Sequence, residues 1–379
     1  MKTDLPLVYI EISRKNLIHN IKALKSLAKK RTQFAVAIKS NAYGHGQNQI
    51  AEILEPYVDY FQVNSLAELE LLRKTSKKKA LLLGYVQYAD LAKVIKLNCI
   101  LAVFSLDTLR ALGNITDKTK RAQEIHIAFD AYLGREGVLL ADLPQILQEI
   151  KKYKYIKLTG IYAHFANIED ITNFTHAQKQ INEYNKALKI AGEYGFANLT
   201  THISATSGLM VYEKGDGINP LIRLGLGVYG LWPSEYLKTI KTKSKFILKP
   251  VLSYKSKIAQ IKVLPVGHTI GYGLTYKTTK ETKVAIIPQG YADGVDRGLS
   301  NLGQVLIAGT RCPILGRVMM NMFVVDVSHL PKVKIEDEIV IIGVQGRESI
   351  TAEEIANKLD TINYEVITRI SSLLLRIVV

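Results

Sequence analysis

Cysteine is scarce in this chain. Cys99 and Cys312 are the two in 379 residues, and they match no metal-binding or disulfide spacing. Long apolar runs are missing as well, so no window reads as a membrane span. The opening MKTDLPLVYIEIS has no apolar core of the kind a signal peptide needs. Acidic residues are in the minority, 34 Asp and Glu against 50 Lys and Arg, giving a net charge of +16. The lysines are nevertheless scattered among acids, with Lys77 to Lys79 as the longest run, and no nucleic-acid-binding signature accompanies them. A solvated lysine-rich surface explains that pattern better than a nucleic-acid site. What is left is a cytoplasmic, enzyme-like protein with no membrane or nucleic-acid partner. Its hydrophobic content of 47% and charged content of 22% are ordinary for such a chain.

What is present is an alternation. Short runs rich in Val and Ile recur at Gln33–Ile38, Tyr60–Val63, Ala80–Leu83, Ile100–Val103, Ile125–Phe129, Leu158–Tyr162, Leu199–Ile203 and Leu221–Leu224. Amphipathic stretches such as Arg14–Lys29, Leu66–Lys74, Leu143–Lys152 and Ala177–Tyr194 separate them. Eight strands with helical crossovers predict an α/β fold whose N-terminal part is a (β/α)8 barrel; an open doubly wound sheet shares the alternation. After LWPS, at Leu231 to Ser234, the texture becomes β-rich with Gly and Pro turns, predicting a C-terminal mainly-β domain. The expected organisation is residues 1–12 as a strand joining the C-terminal domain, 13–240 as the barrel and 241–379 as the β domain. In that last part only TAEEIANKLD reads as a helix, with Thr351 and Glu354 at capping-box spacing.

Polar and ionisable groups follow the barrel strands: Lys39, Asn64, Asp130, His164, then Ser204, Thr206 and Ser207, then Arg223 and Gly225. Barrel enzymes carry their active sites at that end of the strands. SATSG and LGLG supply hydroxyls and closely approaching backbone, the composition of a phosphate site in the last two loops. A lysine that must bond covalently to a phosphate-bearing aldehyde needs both parts, which points to pyridoxal phosphate (PLP). Each residue alone has a plainer reading. Lys39 could be a solvated strand end, His164 a structural imidazole, Arg223 one half of an ion pair, and Tyr272 one packed tyrosine among 20.

Taken in order, AVAIKSNAYGHG (35–46), HFAN (164–167), RLGLGVYGL (223–231), IGYGLTY (270–276), IPQGYADG (287–294) and PILGRVMMNM (313–322) resemble the motifs of the alanine racemase family over essentially the whole chain. The resemblance implies PLP as cofactor and interconversion of L- and D-alanine by two bases, supplying D-alanine for peptidoglycan. It implies that Lys39 carries the cofactor and is one base, and that Tyr272 is the other. It places Tyr43, Thr206, Gly225 and Leu226 at the phosphate, His164 against the ring and Arg223 at the pyridine nitrogen. Arg135 and the backbone N–H of Met320 would bind the substrate carboxylate, and Tyr291 would line the approach. It also implies a homodimer, with Tyr272 reaching the site of the partner chain.

The chain departs from the family pattern in places. A lysine that can be carbamylated, and that orients the carboxylate-binding arginine, is replaced by Ala128. Arg135 is then expected to be held by another anion, either chloride or a nearby side chain. Asn321 and Ser372 stand where aspartate and tyrosine are common. Alternative readings are a racemase for another small amino acid such as serine, a barrel-type PLP decarboxylase, and a PLP carrier lacking the second domain.

Overall fold

The computed structural model describes residues 5–170, 172–212 and 220–379. The chain divides into two compact units, one comprising residues 17–39 and 50–249, the other 1–16, 40–49 and 250–379. Position 240 falls inside the helix Glu235–Lys243, and the chain passes finally from one unit to the other at Lys249–Pro250.

Nine strands precede that point: β1 (Val8–Ile12), β2 (Gln33–Ala37), β3 (Tyr60–Val63), β4 (Lys79–Leu82), β5 (Ile100–Val103), β6 (Gln123–Ala128), β7 (Ile156–Tyr162), β8 (Thr200–His202) and β9 (Leu221–Leu224). In the first unit β2 to β9 form one parallel sheet in the order β8-β7-β6-β5-β4-β3-β2-β9. A single bridge, Thr201 to Pro220, spans the remaining gap, so the barrel is nearly closed. The strands are covered on both faces, and β3, β5 and β9 are buried at every position. That is why they read as continuous apolar runs rather than alternating ones. Ala35, Leu81, Ile100, Ala102, Ala128, Tyr162 and Leu221 pack together in one core cluster. Each fully buried Leu or Ile side chain in such a core contributes on the order of 2 kcal/mol. Helices start where side chains can cap them: Ser65 accepts from the Glu68 N–H and Ser105 from the Thr108 N–H.

The second unit is mainly β. It adds β10 (Leu252–Lys257), β11 (Gln260–Leu264), β12 (Thr269–Ile270), β13 (Tyr276–Lys277), β14 (Thr282–Ile287), β15 (Gln304–Ile307), β16 (Thr310–Leu315), β17 (Phe323–Asp326), β18 (Glu338–Gln345), β19 (Glu348–Ile350) and β20 (Leu375–Val378). The main sheet runs β11-β14-β17-β16-β15-β18-β10-β1-β20. The opening strand β1 is antiparallel to β10 and parallel to β20, with Ile10 opposite both Tyr254 and Arg376. β10 alternates buried and half-buried positions, as expected of a sheet with one covered face. Two helices follow β19, not one. Ala352–Lys358 is capped by Thr351, and Asn363–Thr368 lies in a stretch that carries no apolar periodicity long enough to announce it.

Candidate active site

In the barrel unit Lys39 follows β2 directly, and its side chain is half-buried. Burial, followed by the neighbouring Arg135 guanidinium, lowers its basicity below that of a free lysine, while Glu68 and Glu136 oppose the shift. Such a site raises the neutral, nucleophilic fraction of the amine.

Arg223 lies within the last barrel strand, Leu221–Leu224, as the expected range has it, and not among the groups that follow a strand end. It sits inside β9 and is 5% exposed. Its Nη1 donates to His202 Nδ1 at 2.6 Å and to the His202 carbonyl at 2.8 Å. Its Nη2 donates to the Ala163 carbonyl at 2.8 Å and meets His164 Nδ1 at 3.2 Å. Because the arginine donates to Nδ1, the His202 proton lies on Nε2, which then donates to His126 Nδ1 at 2.7 Å. The His126 proton is left on Nε2, a buried atom with no hydrogen-bond partner. Gly160 permits this packing, since a Cβ there would lie 2.6 Å from the same atom. Burial, reinforced by Arg223, pushes His126 and His164 down to about 3 and His202 well below its ordinary value. Arg223 itself is pushed down to about 10 by burial and stays charged at neutral pH. The result is a buried cation held by neutral imidazoles and carbonyls, with Tyr162 beneath it at 5.2 Å. Among the described residues its hydrogen bonds include no carboxylate.

Thr206 begins the short helix after β8, and Gly225 precedes the turn Leu226–Tyr229 after β9. The two loops are tied by the Gly225 N–H donating to Thr206 Oγ1 at 3.1 Å. A Cβ on Gly227 would lie 2.6 Å from the Thr206 methyl. The first turns of such helices leave backbone N–H groups without intrahelical partners, the donor set a phosphate takes. Arg135, in the loop after β6, pairs with its neighbour Glu136. Asp130, an open candidate by sequence, caps that loop by accepting from the Leu133 and Gly134 N–H groups at 2.8 and 3.1 Å.

The other four predicted residues lie in the second unit. Beyond Lys39 the backbone does not enter an ordinary right-handed helix. Ser40, Asn41, Ala42 and Tyr43 all have φ of 52–54°. Left-handed backbone costs roughly 1–2 kcal/mol per such residue, so something must hold the turn. Arg376 does so with four hydrogen bonds to carbonyls, two to Gly44 at 3.2 and 2.9 Å and one each to Ser371 and Leu374. The Asn41 side chain adds an acceptor for the Gln47 N–H at 2.9 Å. Tyr43 leaves this turn with its ring 6.1 Å from that of Tyr364.

Tyr272 is 74% exposed and stands in a tight turn between Gly271 and Gly273, both with positive φ. A Cβ on Gly273 would lie 2.7 Å from the Arg317 guanidinium, so that arginine covers the turn. Tyr291 and Met320 are brought together. The Tyr291 N–H donates to the Met319 carbonyl and the Ala292 N–H to the Met320 carbonyl, both at 3.0 Å. Gly290 makes this approach possible, because a Cβ there would lie 2.0 Å from the Met319 carbonyl oxygen.

Sequence reasoning missed His126, His202 and Arg317. The first two are polar positions inside strands that otherwise read as core, which was the available signal. A lysine of lowered basicity, a buried arginine with no acid among its described partners, and two loops of helix starts fit the aldehyde, ring nitrogen and phosphate of PLP. Among the described residues no helix is long and apolar enough to cross a membrane, and no cluster of three His, Cys, Asp or Glu side chains could hold a metal.

Two family models match nearly the whole chain: the alanine racemase N-terminal domain over residues 12–233 and the C-terminal domain over 251–378. A relative described as an alanine racemase of Leptospira interrogans is 36% identical, covering 98% of this chain and 95% of that one. The solved alanine racemase of Clostridium difficile 630 superposes with a TM-score of 0.90 at 31% identity, covering 99% of this chain and 96% of that one. The alanine racemase of Bacillus anthracis with bound L-Ala-P gives 0.91 at 30% identity, covering 99% and 95%.

Proposed function

Because this chain belongs to the alanine racemase family, we propose that it interconverts L- and D-alanine with PLP, using Lys39 and Tyr272 as opposed bases in a homodimer of the cytoplasm. The observation that carries the reading is the barrel end where a lysine of lowered basicity shares a unit with a buried arginine held by imidazoles and carbonyls, with no acid among its described partners.

When bound, PLP supplies an electron sink for the charge left at the substrate α-carbon. The rest is done by the chain. Lys39 would hold the cofactor's aldehyde carbon, and the N–H groups about Thr206, Gly225 and Leu226, with Tyr43, its phosphate. Arg223 would face the ring nitrogen. A fixed cation there disfavours a second positive charge, so that nitrogen stays unprotonated. The neutral His202, itself backed by His126, and His164 supply acceptors that hold the guanidinium without cancelling its charge. Lys39 Nζ then takes or returns the α-proton on one face, and the Tyr272 hydroxyl serves the other. Arg135 and the Met320 N–H would orient the substrate carboxylate, with Tyr291 at the approach.

The dimer is supported by the exposure of Tyr272, Leu274, Tyr291, Met320 and Met322, all in the second unit. Apolar and aromatic side chains gathered this way need a covering surface. The reading is tested by deuterium wash-in from D2O into L-alanine and L-serine. Exchange into alanine is expected, with its loss in Lys39→Ala and its loss from one enantiomer in Tyr272→Phe. Exchange into serine alone would favour a serine racemase, and exchange into neither would overturn the reading.

A further inference from the structure

The ion pair between Arg135 and Glu136 has a geometry that bears on substrate recognition. Arg135 Nε meets Glu136 Oε2 at 2.5 Å, and Nη2 meets Oε1 at 2.8 Å. A carboxylate set this way covers one edge of the planar guanidinium. The opposite end, Nη1 with the outer N–H of Nη2, is left to another anion. A second carboxylate can therefore join without displacing the first.

The loop that carries the pair is fixed at its root. It is closed at its base by the Val138 N–H donating to the Ala128 carbonyl at 2.7 Å and the Asp130 N–H donating to the Val138 carbonyl at 3.0 Å. The Asp130 carboxylate caps its turn. Gly137 lies so close to the base that a Cβ would sit 2.6 Å from the Asp130 nitrogen. Both members of the pair act on Lys39, the arginine lowering and the glutamate raising its basicity, so they sit at the same end of the barrel.

Ala128 explains why a neighbour must do the holding. It is buried in an apolar cluster with Ala102, Leu83 and Tyr162, with Phe104 packed against it, and supplies no polar atom of its own side chain. A small anion lodged there would lose its hydration, with the buried and unpartnered Tyr162 hydroxyl as one available donor.

We propose that Glu136 is a positioning residue for substrate recognition: it grips the Nε edge of Arg135 and presents the Nη1 end to the carboxylate of the amino-acid substrate. The inference rests on the racemase reading, with Arg135 as the carboxylate-binding residue. Because the pair is largely exposed, it adds little to stability, and its effect is to be sought in binding.

The test compares wild type with Glu136→Gln and Glu136→Asp, all loaded with PLP. Each is measured for KM and kcat with both alanine enantiomers, and for the rise in melting temperature produced by propionate. Glu136→Gln should raise both KM values by about tenfold, the size of one misoriented hydrogen-bonded contact, and shrink the propionate-induced shift. Its kcat should change by less than about twofold, its unliganded melting temperature should not move, and Glu136→Asp should recover part of the KM. Adding sodium chloride to a chloride-free buffer should leave the wild-type KM unchanged. Unchanged or lower KM and an intact propionate shift in Glu136→Gln would overturn the proposal. So would a wild-type KM that falls with chloride, which would assign the role to a bound anion. A wild type that exchanges no alanine would sink the racemase reading instead, and the propionate shift would still decide the role of Glu136.

Discussion

Arg223 is 5% exposed and Tyr272 is 74% exposed, although both are assigned to the same chemistry. The arginine is gripped on every side by groups of its own unit: His202, the Ala163 carbonyl, His164 and the face of Tyr162. The tyrosine rides on a two-glycine turn with the Arg317 guanidinium packed over it. The barrel end is preorganised within one chain. The turn bearing Tyr272 is shaped in advance, but its side chain meets water where a proton-transferring phenol needs a closed site. The difference is what the proposed shared site requires, with Tyr272 completed by a partner chain, and the predictions follow from it.

On the proposed reading, Lys39→Ala removes the covalent anchor and one base together. Alanine exchange should fall by on the order of 10⁴-fold or more, and the absorbance of lysine-bound cofactor should vanish. Retained exchange would separate Lys39 from the chemistry. Tyr272→Phe removes a single proton donor and acceptor. We expect a loss of about 10²-fold or more in racemisation, with cofactor absorbance intact and α-proton exchange surviving from one enantiomer. Equal small losses from both enantiomers would make Tyr272 a packing residue.

The structural supports should respond more modestly. Gly44 has φ of +80°, and a Cβ there would lie 2.1 Å from the Ile367 carbonyl oxygen. Gly44→Ala should therefore destabilise by more than about 1 kcal/mol, read as a lower denaturant midpoint. Gly192, near the end of the helix Thr175–Glu193, has no atom within 4 Å of an added Cβ. Gly192→Ala should be neutral or stabilise by roughly 0.5–1 kcal/mol.

The buried imidazoles predict an acid limb. His126 is held at about 3 in the folded chain against an ordinary 6.5, and burial lowers His202 well below that ordinary value too. Their folded values are depressed, so below about 6.5 the unfolded chain binds protons that the native one does not. Stability is thus full above that pH and falls as pH drops toward 3, by up to about 1.4 kcal/mol per pH unit for each histidine. Urea midpoints between pH 7 and 5 should show this, and His126→Leu should flatten the slope. A slope indifferent to that substitution would mean His126 is not buried neutral.

The eight barrel strands were legible because strands covered on both faces must be apolar throughout, and the structure moves their ends by at most two residues. Lys39 and the glycine-rich loops after β8 and β9 were legible as positions because they stand just past strand ends, where barrels carry their active sites. Arg223 was legible as a residue of the strand Leu221–Leu224 but not as one turned into the core, since nothing local in LIRLG marks it. The histidine chain behind it was invisible for the same reason: His126 and His202 are 76 residues apart and meet only when the sheet curls. The left-handed turn after Lys39 was hidden because Ser, Asn, Ala and Tyr carry no φ signal, and the arginine that holds it is Arg376, 332 residues beyond Gly44.

The shared site is tested most directly by mixing two inactive variants, Lys39→Ala and Tyr272→Phe, under conditions that exchange subunits. If each site takes Lys39 from one chain and Tyr272 from the other, half the hybrid sites are intact. Activity should then return to roughly a quarter of wild type for a two-fold dimer. If both residues come from one chain, no intact site can form, and a mixture as inactive as its parts would contradict the account.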